Sequence, residues 1–290
     1  MVGKPAEKNV NWELESVSST QSIRLMNPRV QKRKNKIGNI RKTALPLAAG
    51  ILFILLWEWQ VFHRVLQLQT YQLPLPSAIW EAISVNWQTL LTYTRYTFIE
   101  AAAGMVIGSS VGFIFALLAA SWPKWGKGGL SVVVAVNAVP IVALAPIMNL
   151  WFSDGMGSRI AIVTITTMSA MAINAYKGMT MVDPLALDLM HSYAAKKQQV
   201  FKYLRIANSL PFVFTALKIN TTASMIGAIV GEFFFSSQGL GYLLSNSIKV
   251  AKMPLGWACI VMAAIVGVIF YLLVERVEKI FLKWHPSERK

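Results

Sequence analysis

Long apolar stretches alternate with short polar ones along most of this 290-residue chain. Six of the apolar stretches are long enough to cross about 30 Å of hydrocarbon as helices. The segment 78–95 is amphipathic, and we predict an interfacial helix or part of an outer loop there. The pattern as a whole predicts an all-α polytopic membrane protein. The six predicted spans are roughly 44–63, 97–120, 130–152, 158–176, 211–235 and 257–277.

Composition agrees with a chain whose main solvent is lipid. Hydrophobic residues make up 55% of it and charged residues 14%, where soluble domains carry about 25% charged residues. The net charge of +15 is compatible with binding nucleic acid. However, the basic residues lie between the apolar stretches and at the chain ends, so we expect membrane lipid and no nucleic acid as a partner.

The distribution of Lys and Arg predicts how the chain is oriented. If the N-terminus is cytoplasmic, 22 of these residues fall in inside segments and 5 in outside segments. Cytoplasmic loops carry the excess of Lys and Arg, so both termini are predicted to be cytoplasmic. We therefore divide the chain into a basic, partly disordered N-terminal tail (1–43), a transmembrane domain (44–280) with a cytoplasmic loop (177–210), and a cytoplasmic C-terminal tail (281–290). The tail is interpreted as an anchor on anionic lipid or as a regulatory or partner-binding segment.

Glycines and prolines within the spans predict where helices pack closely and where one is kinked or broken. Gly104, Gly108 and Gly112 are four residues apart in the second span, which predicts a smooth face for close helix packing. Pro140 and Pro146 predict a kink or a break in the third span.

Polar residues within the spans are candidates for a translocation path. The neutral ones either line such a path or form hydrogen bonds between helices, and the pattern does not decide between these roles. Lys218 is predicted to extend toward the inner end of its span. Glu232 is predicted to pair with a basic or polar group near the outer end of the same span. The candidate pathway and gating residues are Asn137, Asn174, Asn220, Thr221, Ser224 and Glu232.

The sequence contains no pattern that indicates catalysis. It lacks a phosphate-binding loop that ends in Lys-Ser or Lys-Thr, and its Cys and His residues do not have metal-ligand spacing. We expect no catalytic residue, no metal and no cofactor. A stand-alone secondary transporter or channel is one alternative. The positions of Glu58, Glu100, Lys218 and Glu232 toward span ends weaken it, because ion coupling usually needs ionisable groups deep in the membrane.

A basic stretch, "DLMHSYAAKKQQVFKYLRIANSLP" at 188–211, interrupts the apolar sequence. Asp183 and Pro184 predict the N-cap and first position of a helix. We expect this helix to end near Asn208, before Pro211 opens the fifth span. A short helix in this place either enters a groove on a soluble partner or lies on the membrane surface.

This stretch resembles the cytoplasmic coupling loop of ATP-binding-cassette (ABC) importer permeases. The resemblance is to the branch for nitrate, sulfonates, taurine and bicarbonate, which also includes riboflavin and thiamine-pyrimidine permeases. Its loop reads E-A-A-x-x-x-G-A-x-x-x-Q-V-F and is followed by two L-P pairs. The chain departs from that pattern at Leu189-Met190, at Ala194 in place of the glycine, and at Ile206-Ala207. Similar segments are "LPLPSAIWEAI" (73–83), "VPIVALAPIMNLWFSDGMGSRIAIV" (139–163) and "GAIVGEFFFSSQGLGYLL" (227–244).

The resemblance implies a type I ABC importer permease fold in the bacterial cytoplasmic membrane. It implies a second permease copy, separate ABC ATPase subunits that hydrolyse ATP, and an extracytoplasmic substrate-binding protein. The implied substrate is a vitamin or vitamin precursor such as riboflavin or a pyrimidine, or an anion of the nitrate, sulfonate, taurine or bicarbonate type. The implied ATPase-docking residues are Asp188, Tyr193, Ala194, Ala195, Gln199, Val200, Phe201 and Pro211.

Overall fold

The computed structural model describes residues 44–282. The predicted N-terminal tail (1–43) and nearly all of the predicted C-terminal tail lie outside this part of the chain. The chain divides into two compact units, Met1–Gln67 and Leu68–Lys290. Each unit is described by itself below.

The described part of the first unit contains two helices. Helix α1 is Ala44–Glu58 and helix α2 is Val61–Leu66. Gln60, between them, has a left-handed backbone with a φ of 59°. The predicted span 44–63 is therefore interrupted, and the described length of α1 is shorter than a full crossing requires.

The second unit is a bundle of helices, and the described residues contain no strand. Helices α4, α7, α9 and α11 are each long and apolar enough to cross a membrane. The pair α5 and α6, bent by 91°, forms either a fifth, broken span or a re-entrant loop. The helices are α3 Pro76–Val85, α4 Trp87–Ser121, α5 Pro123–Val136, α6 Ile141–Phe152, α7 Met156–Thr180, α8 Pro184–Ser192, α9 Lys197–Phe235, α10 Leu240–Lys249 and α11 Met253–Phe281.

Two predicted boundaries were wrong. Segment 78–95 is not one interfacial helix, because α3 ends at Val85 and the long helix α4 begins at Trp87. The single helix predicted from Pro184 to near Asn208 is two helices, because α8 ends at Ser192 and α9 begins at Lys197 and continues through Pro211. Residues Val200–Arg205 form π-helical turns just before this proline. Such local adjustments allow a proline to remain inside a membrane helix.

The glycines of α4 pack against α7, as their spacing predicts. A Cβ atom on Gly108 would overlap Thr167 Oγ1 and the Thr164 carbonyl, and one on Gly112 would overlap the Met168 carbonyl. The helix backbones are therefore close enough that no other residue fits without movement. Successive glycines of α4 contact successive turns of α7, so these two helices are parallel.

Helix α9 runs antiparallel to α7. A Cβ on Gly178 of α7 would meet Ser209 and Phe212, near the start of α9. At the other end, Gly231 of α9 lies against Arg159 of α7.

Helix α11 is in turn antiparallel to α9. The ring of Phe281 at its end lies 6.0 Å from that of Phe214 near the start of α9. Ser121, Thr180, Lys197 and Phe281 thus mark one end of the bundle, which we call the loop end. The opposite end, where α7 begins and α9 ends, we call the far end.

The break predicted in the third span lies at Pro140. Helix α5 ends at Val136, and Pro140 immediately precedes α6. Pro146 lies inside α6 and does not end it. The other end of α6 is at the far end of the bundle, where Ser158 Oγ donates to Asn149 Oδ1 at 3.3 Å.

Candidate functional site

The predicted coupling loop begins with a capped helix at the loop end. The Asp183 side chain accepts a hydrogen bond from Leu185 N at 2.9 Å, and Pro184 is the first residue of α8, as predicted. After α8 the backbone turns at Ala194, which has a left-handed φ of 51°. This is the position at which the resembled loop has glycine, and glycine adopts this conformation without steric cost.

The loop ends at the first turn of α9. Lys196 N donates to Gln199 Oε1 at 2.7 Å. Asp188 and Gln199 are exposed, and Ala195 is half-buried. Pro211 is half-buried within α9, so it does not mark the border between loop and span.

The apolar side chains of the loop divide into an exposed group and a packed group. Leu185, Leu189 and Tyr193 are exposed, and Tyr193 is 78% accessible. Their spacing of four residues places them along one side of α8, up to the residue that follows it. Val200 is buried, and Phe201 packs against a core cluster of the same chain that includes Met171. Leu185 is absent from the predicted docking residues, although its spacing from Leu189 indicates it.

Glu232 lies at the far end of the bundle and is fully buried. Its Oε2 accepts hydrogen bonds from Gly241 N at 2.7 Å and Thr97 Oγ1 at 3.0 Å. Thr97 Oγ1 in turn accepts one from Leu240 N at 2.8 Å. Glu232 and Thr97 thus each accept one of the first two N–H groups of α10, and their own hydrogen bond links α9 to α4. Gly239, with a φ of 94°, lies directly against this carboxyl group.

A buried ion pair lies at the same end. Arg159 Nε is 2.9 Å from Glu100 Oε1, and both side chains are buried. Arg159 Nη1 also donates to the carbonyl of Phe235, the last residue of α9, at 3.2 Å, and lies 3.4 Å from Asp154 Oδ1. We did not predict this pair. The indication in the sequence is the presence of both charges at the predicted outer ends of two different spans.

Asn220 connects three helices near the middle of the bundle. Its Nδ2 donates to Ser109 Oγ of α4 at 3.0 Å and to the Thr167 carbonyl of α7 at 2.9 Å. The hydroxyls of Thr221 and Ser224 donate to carbonyls within α9. These three residues are buried, so the geometry gives them a role in helix packing.

Two other pathway candidates lie on different helices. Asn174 Nδ2 donates to the Ala170 carbonyl within α7 at 2.8 Å. Asn137 is exposed at the end of α5. It lines a cavity of about 270 Å³ between the α5–α6 break, α7 and α9. Asn137 is thus separated from the contacts that join Asn220 to its neighbours.

Lys218 forms an ion pair that we did not predict. Its Nζ lies 2.7 Å from Glu278 Oε2, and the pair joins α9 to α11. Glu278 is three residues before the end of α11, so the pair lies toward the loop end, which is the predicted inner end of the span. Among residues 44–282, no group of three His, Cys, Asp or Glu side chains is placed to hold a metal ion.

In the described part of the chain, the four apolar crossings, the bent α5–α6 pair and their buried polar contacts define a helical membrane protein. Residues 108–283 match the model of the family described as "Binding-protein-dependent transport system inner membrane component", and the chain belongs to this family. It is a permease subunit of an ABC importer in the inner membrane, and this class implies ATPase partners. The predicted class, function and location are confirmed. The alternative of a stand-alone transporter disagrees with membership of a binding-protein-dependent family.

Similar proteins include two named vitamin-related permeases. The chain is 25% identical over 251 residues to "Formylaminopyrimidine transport permease protein ThiX" of Halalkalibacterium halodurans, covering 86% of this chain and 100% of the relative. It is 24% identical over 267 residues to "Riboflavin transport system permease protein RibX" of Chloroflexus aurantiacus, covering 89% and 97%. These names describe transport subunits and not enzymes.

One solved structure shows the same fold. It is titled "Crystal structure of a bacterial ABC transporter involved in the import of the acidic polysaccharide alginate". The TM-score is 0.57 at 11% identity, and the alignment covers 84% of this chain and 98% of the other. The expected type I ABC importer permease fold is therefore confirmed.

Proposed function

We propose that the chain forms half of a homodimeric channel that imports a vitamin or vitamin precursor and is driven by ABC ATPase subunits bound to its α8 loop. The observation that carries this proposal is the exposed apolar stripe of Leu185, Leu189 and Tyr193. The stripe lies at the loop end and is joined through the Ala194 turn to the long helix α9.

Charge supports a cytoplasmic location for the loop end. Basic residues are more numerous there than at the far end, as the positive-inside rule requires of a cytoplasmic side. In this orientation the C-terminal end of α11 is also cytoplasmic. The N-terminus is placed on the same side by the charge count of the whole chain. Loop-end basic residues are Lys124, Lys177, Lys196, Lys197, Lys202, Arg205, Arg276 and Lys279, and those exposed toward the far end of the second unit are Arg95, Lys249 and Lys252.

The loop has the features of a docking element. An apolar helix face enters a groove on a partner when its side chains are exposed and its backbone is fixed. Here the backbone is fixed by the Asp183 cap and the Gln199 contact with Lys196 N. Asp188 and Gln199 are the exposed polar candidates beside this face. Val200 and Phe201 support the loop from within the chain.

The α5–α6 break supports the proposal of a second copy. Residues 137–140 are exposed, and they form irregular backbone between two apolar helices. Irregular backbone at membrane depth is tolerated where it is covered by protein or lines a water-filled cavity, and not where it faces lipid. A second permease copy across a two-fold axis would cover this face and enclose a path beside it.

The substrate proposal rests on the resemblance and on the names of the relatives. ThiX and RibX are named for a formylaminopyrimidine and for riboflavin, both uncharged heterocyclic solutes. A vitamin or vitamin precursor is therefore our first proposal. An anion of the nitrate, sulfonate, taurine or bicarbonate type is the second. An extracytoplasmic binding protein would deliver either solute to the far end of the bundle.

Co-purification with an ABC ATPase encoded beside this chain tests the docking proposal. We expect Tyr193→Ala and Leu189→Ala to lower recovery of the ATPase while the amount of permease in the membrane is unchanged. Trp80→Ala is the matched control, because Trp80 is 72% exposed on α3, away from the loop end. If both loop variants recover the ATPase as well as Trp80→Ala does, this surface is not the docking site.

A further inference from the structure

The cavity at the α5–α6 break lies halfway along the bundle. Asn137 and Ile141 border it from the break, Thr166 and Ala170 from α7, and Ile226 from α9. Residues 166 and 170 are in the middle of α7, which runs from Met156 to Thr180. The cavity is therefore as far from the loop end as from the far end.

This depth determines what can occupy the cavity. Asn137 and Val139, in the exposed break between α5 and α6, line one side of the cavity. Irregular backbone at membrane depth lies against protein or beside a water-filled cavity, and not against lipid hydrocarbon. In the proposed dimer the cavity would therefore lie inside the protein, beside the water-filled path.

The cavity provides hydrogen bonds and no charge. Only Asn137 and Thr166 among its lining residues carry polar side chains. The amide of Asn137 makes no hydrogen bond to the described part of the chain, so its donors and its acceptor are available. Thr166 Oγ1 donates to the Val163 carbonyl at 2.9 Å and retains its capacity to accept.

Charged solutes are unsuited to this lining. Moving an ion from water to apolar surroundings is costly unless a countercharge is present. Two basic residues within the crossings are already paired, Arg159 at the far end with Glu100, and Lys218 with Glu278. Sulfonate or nitrate would find no free cation among the lining residues.

We propose that this cavity binds a small, uncharged heterocycle during translocation, with Asn137 as its main hydrogen-bonding contact. The cavity of about 270 Å³ is one protomer's share of the enclosed path, and its lining of two polar and no charged side chains suits an uncharged solute. The inference rests on the proposed importer function and takes the heterocycle from it. It selects an uncharged solute over an anion.

Thiol accessibility in membrane vesicles tests the site. Asn137→Cys is made in a Cys259→Ala background, which removes the one native, buried cysteine. We compare its rates of modification by a neutral and an anionic methanethiosulfonate reagent of similar size. We expect the neutral reagent to react at least tenfold faster. Protection is measured in Val139→Cys, made in the same background, because Val139 lines the same cavity and this variant keeps Asn137. Formylaminopyrimidine should slow its modification, whereas taurine at equal concentration should not.

Two further cysteine variants calibrate the rates. Ser237→Cys, in the exposed loop before α10, should react with both reagents and should show no protection. Ala172→Cys, which is fully buried, should react with neither. Equal rates for the two reagents at position 137, no reaction there, or protection by taurine would overturn the proposal.

Failure of this inference can be separated from failure of the importer proposal. Each Asn137→Cys and Val139→Cys preparation is also tested for ATPase co-purification, which depends on the α8 surface and not on the cavity. Retained association without protection by formylaminopyrimidine overturns only the cavity assignment. Protection in a chain whose ATPase association does not depend on Tyr193 overturns only the docking proposal.

Discussion

Arg159 Nε lies 2.9 Å from Glu100 Oε1, and both side chains are buried between α4 and α7. The same guanidinium group donates to the carbonyl of Phe235 at the end of α9. One arginine thus fixes the far ends of three helices. Opposite charges in a buried pair depend on each other, because either charge alone would lack the water that normally solvates it.

Removing one member of this pair should be strongly destabilising. We expect Glu100→Ala to cost about 3–5 kcal/mol, because it leaves the buried guanidinium of Arg159 without its carboxylate. The measurement is thermal unfolding of the purified chain in detergent. Glu275→Ala is the control, since Glu275 pairs with Lys279 on an exposed part of α11 and should cause no measurable change. Equal effects of the two substitutions would contradict the assigned importance of the buried pair.

Glu232 should stabilise the start of α10 through its hydrogen bonds. Glu232→Ala leaves the Gly241 N–H group and the Thr97 hydroxyl without their acceptor, at a cost of about 1–3 kcal/mol. Thr97→Val should have an effect of the same sign. The double variant should be less destabilised than the sum, because both changes break one network.

The control for this network is Thr92→Val. Thr92 is exposed on α4, and its hydroxyl donates to the Gln88 carbonyl of its own helix. The chemical change matches Thr97→Val but does not affect the Glu232 network. Additive effects of Glu232→Ala and Thr97→Val on thermal unfolding would show that the two residues act independently.

The glycine face of α4 should not tolerate larger side chains. Gly108→Leu and Gly112→Leu should each lower thermal stability in detergent, because the backbone of α7 occupies the required space. Gly128→Leu on α5 is the matched control, since no atom lies within 4 Å of a Cβ at that position. Unchanged stability of both α4 variants would mean that the helices separate without cost.

Two aromatic residues of the loop should give opposite phenotypes. Phe201→Ala should lower the stability of the isolated chain, by less than the ~3–5 kcal/mol of a fully enclosed aromatic, because Phe201 is half-buried in its own core. Tyr193→Ala should leave thermal unfolding unchanged and reduce ATPase recovery. If Phe201→Ala instead reduced ATPase recovery and Tyr193→Ala lowered stability, the docking surface would lie on α9.

Features that depend on local spacing were predictable from the sequence. The interval of four residues between Gly104, Gly108 and Gly112 indicates a packing face, and Asp183 before Pro184 indicates the start of α8. What the spacing does not specify is which helix lies opposite. The identity of α7 as the neighbour depends on the whole arrangement of the bundle.

Contacts between distant residues were not predictable. Glu100 and Arg159 are 59 positions apart, and Thr97 and Glu232 are 135 positions apart, so no periodic pattern connects them. The predicted end of the loop helix near Asn208 was wrong for another reason. Proline usually favours a helix boundary, but Pro211 lies inside α9 and does not end it.

The stiffness of helix α9 differs along its length, because its irregular turns and its proline are concentrated near one end. It contains 39 residues and is therefore about 58 Å long. The π-helical turns and Pro211 both weaken the regular hydrogen-bond ladder between 200 and 211, and helices bend at such positions. The remaining two-thirds is bound to its neighbours through Arg159 and Asn220 and is stiffer than this end. A force applied to the loop would therefore first bend α9 between residues 200 and 211. Any force transmitted beyond these residues would tilt the rest of the helix as a rigid body.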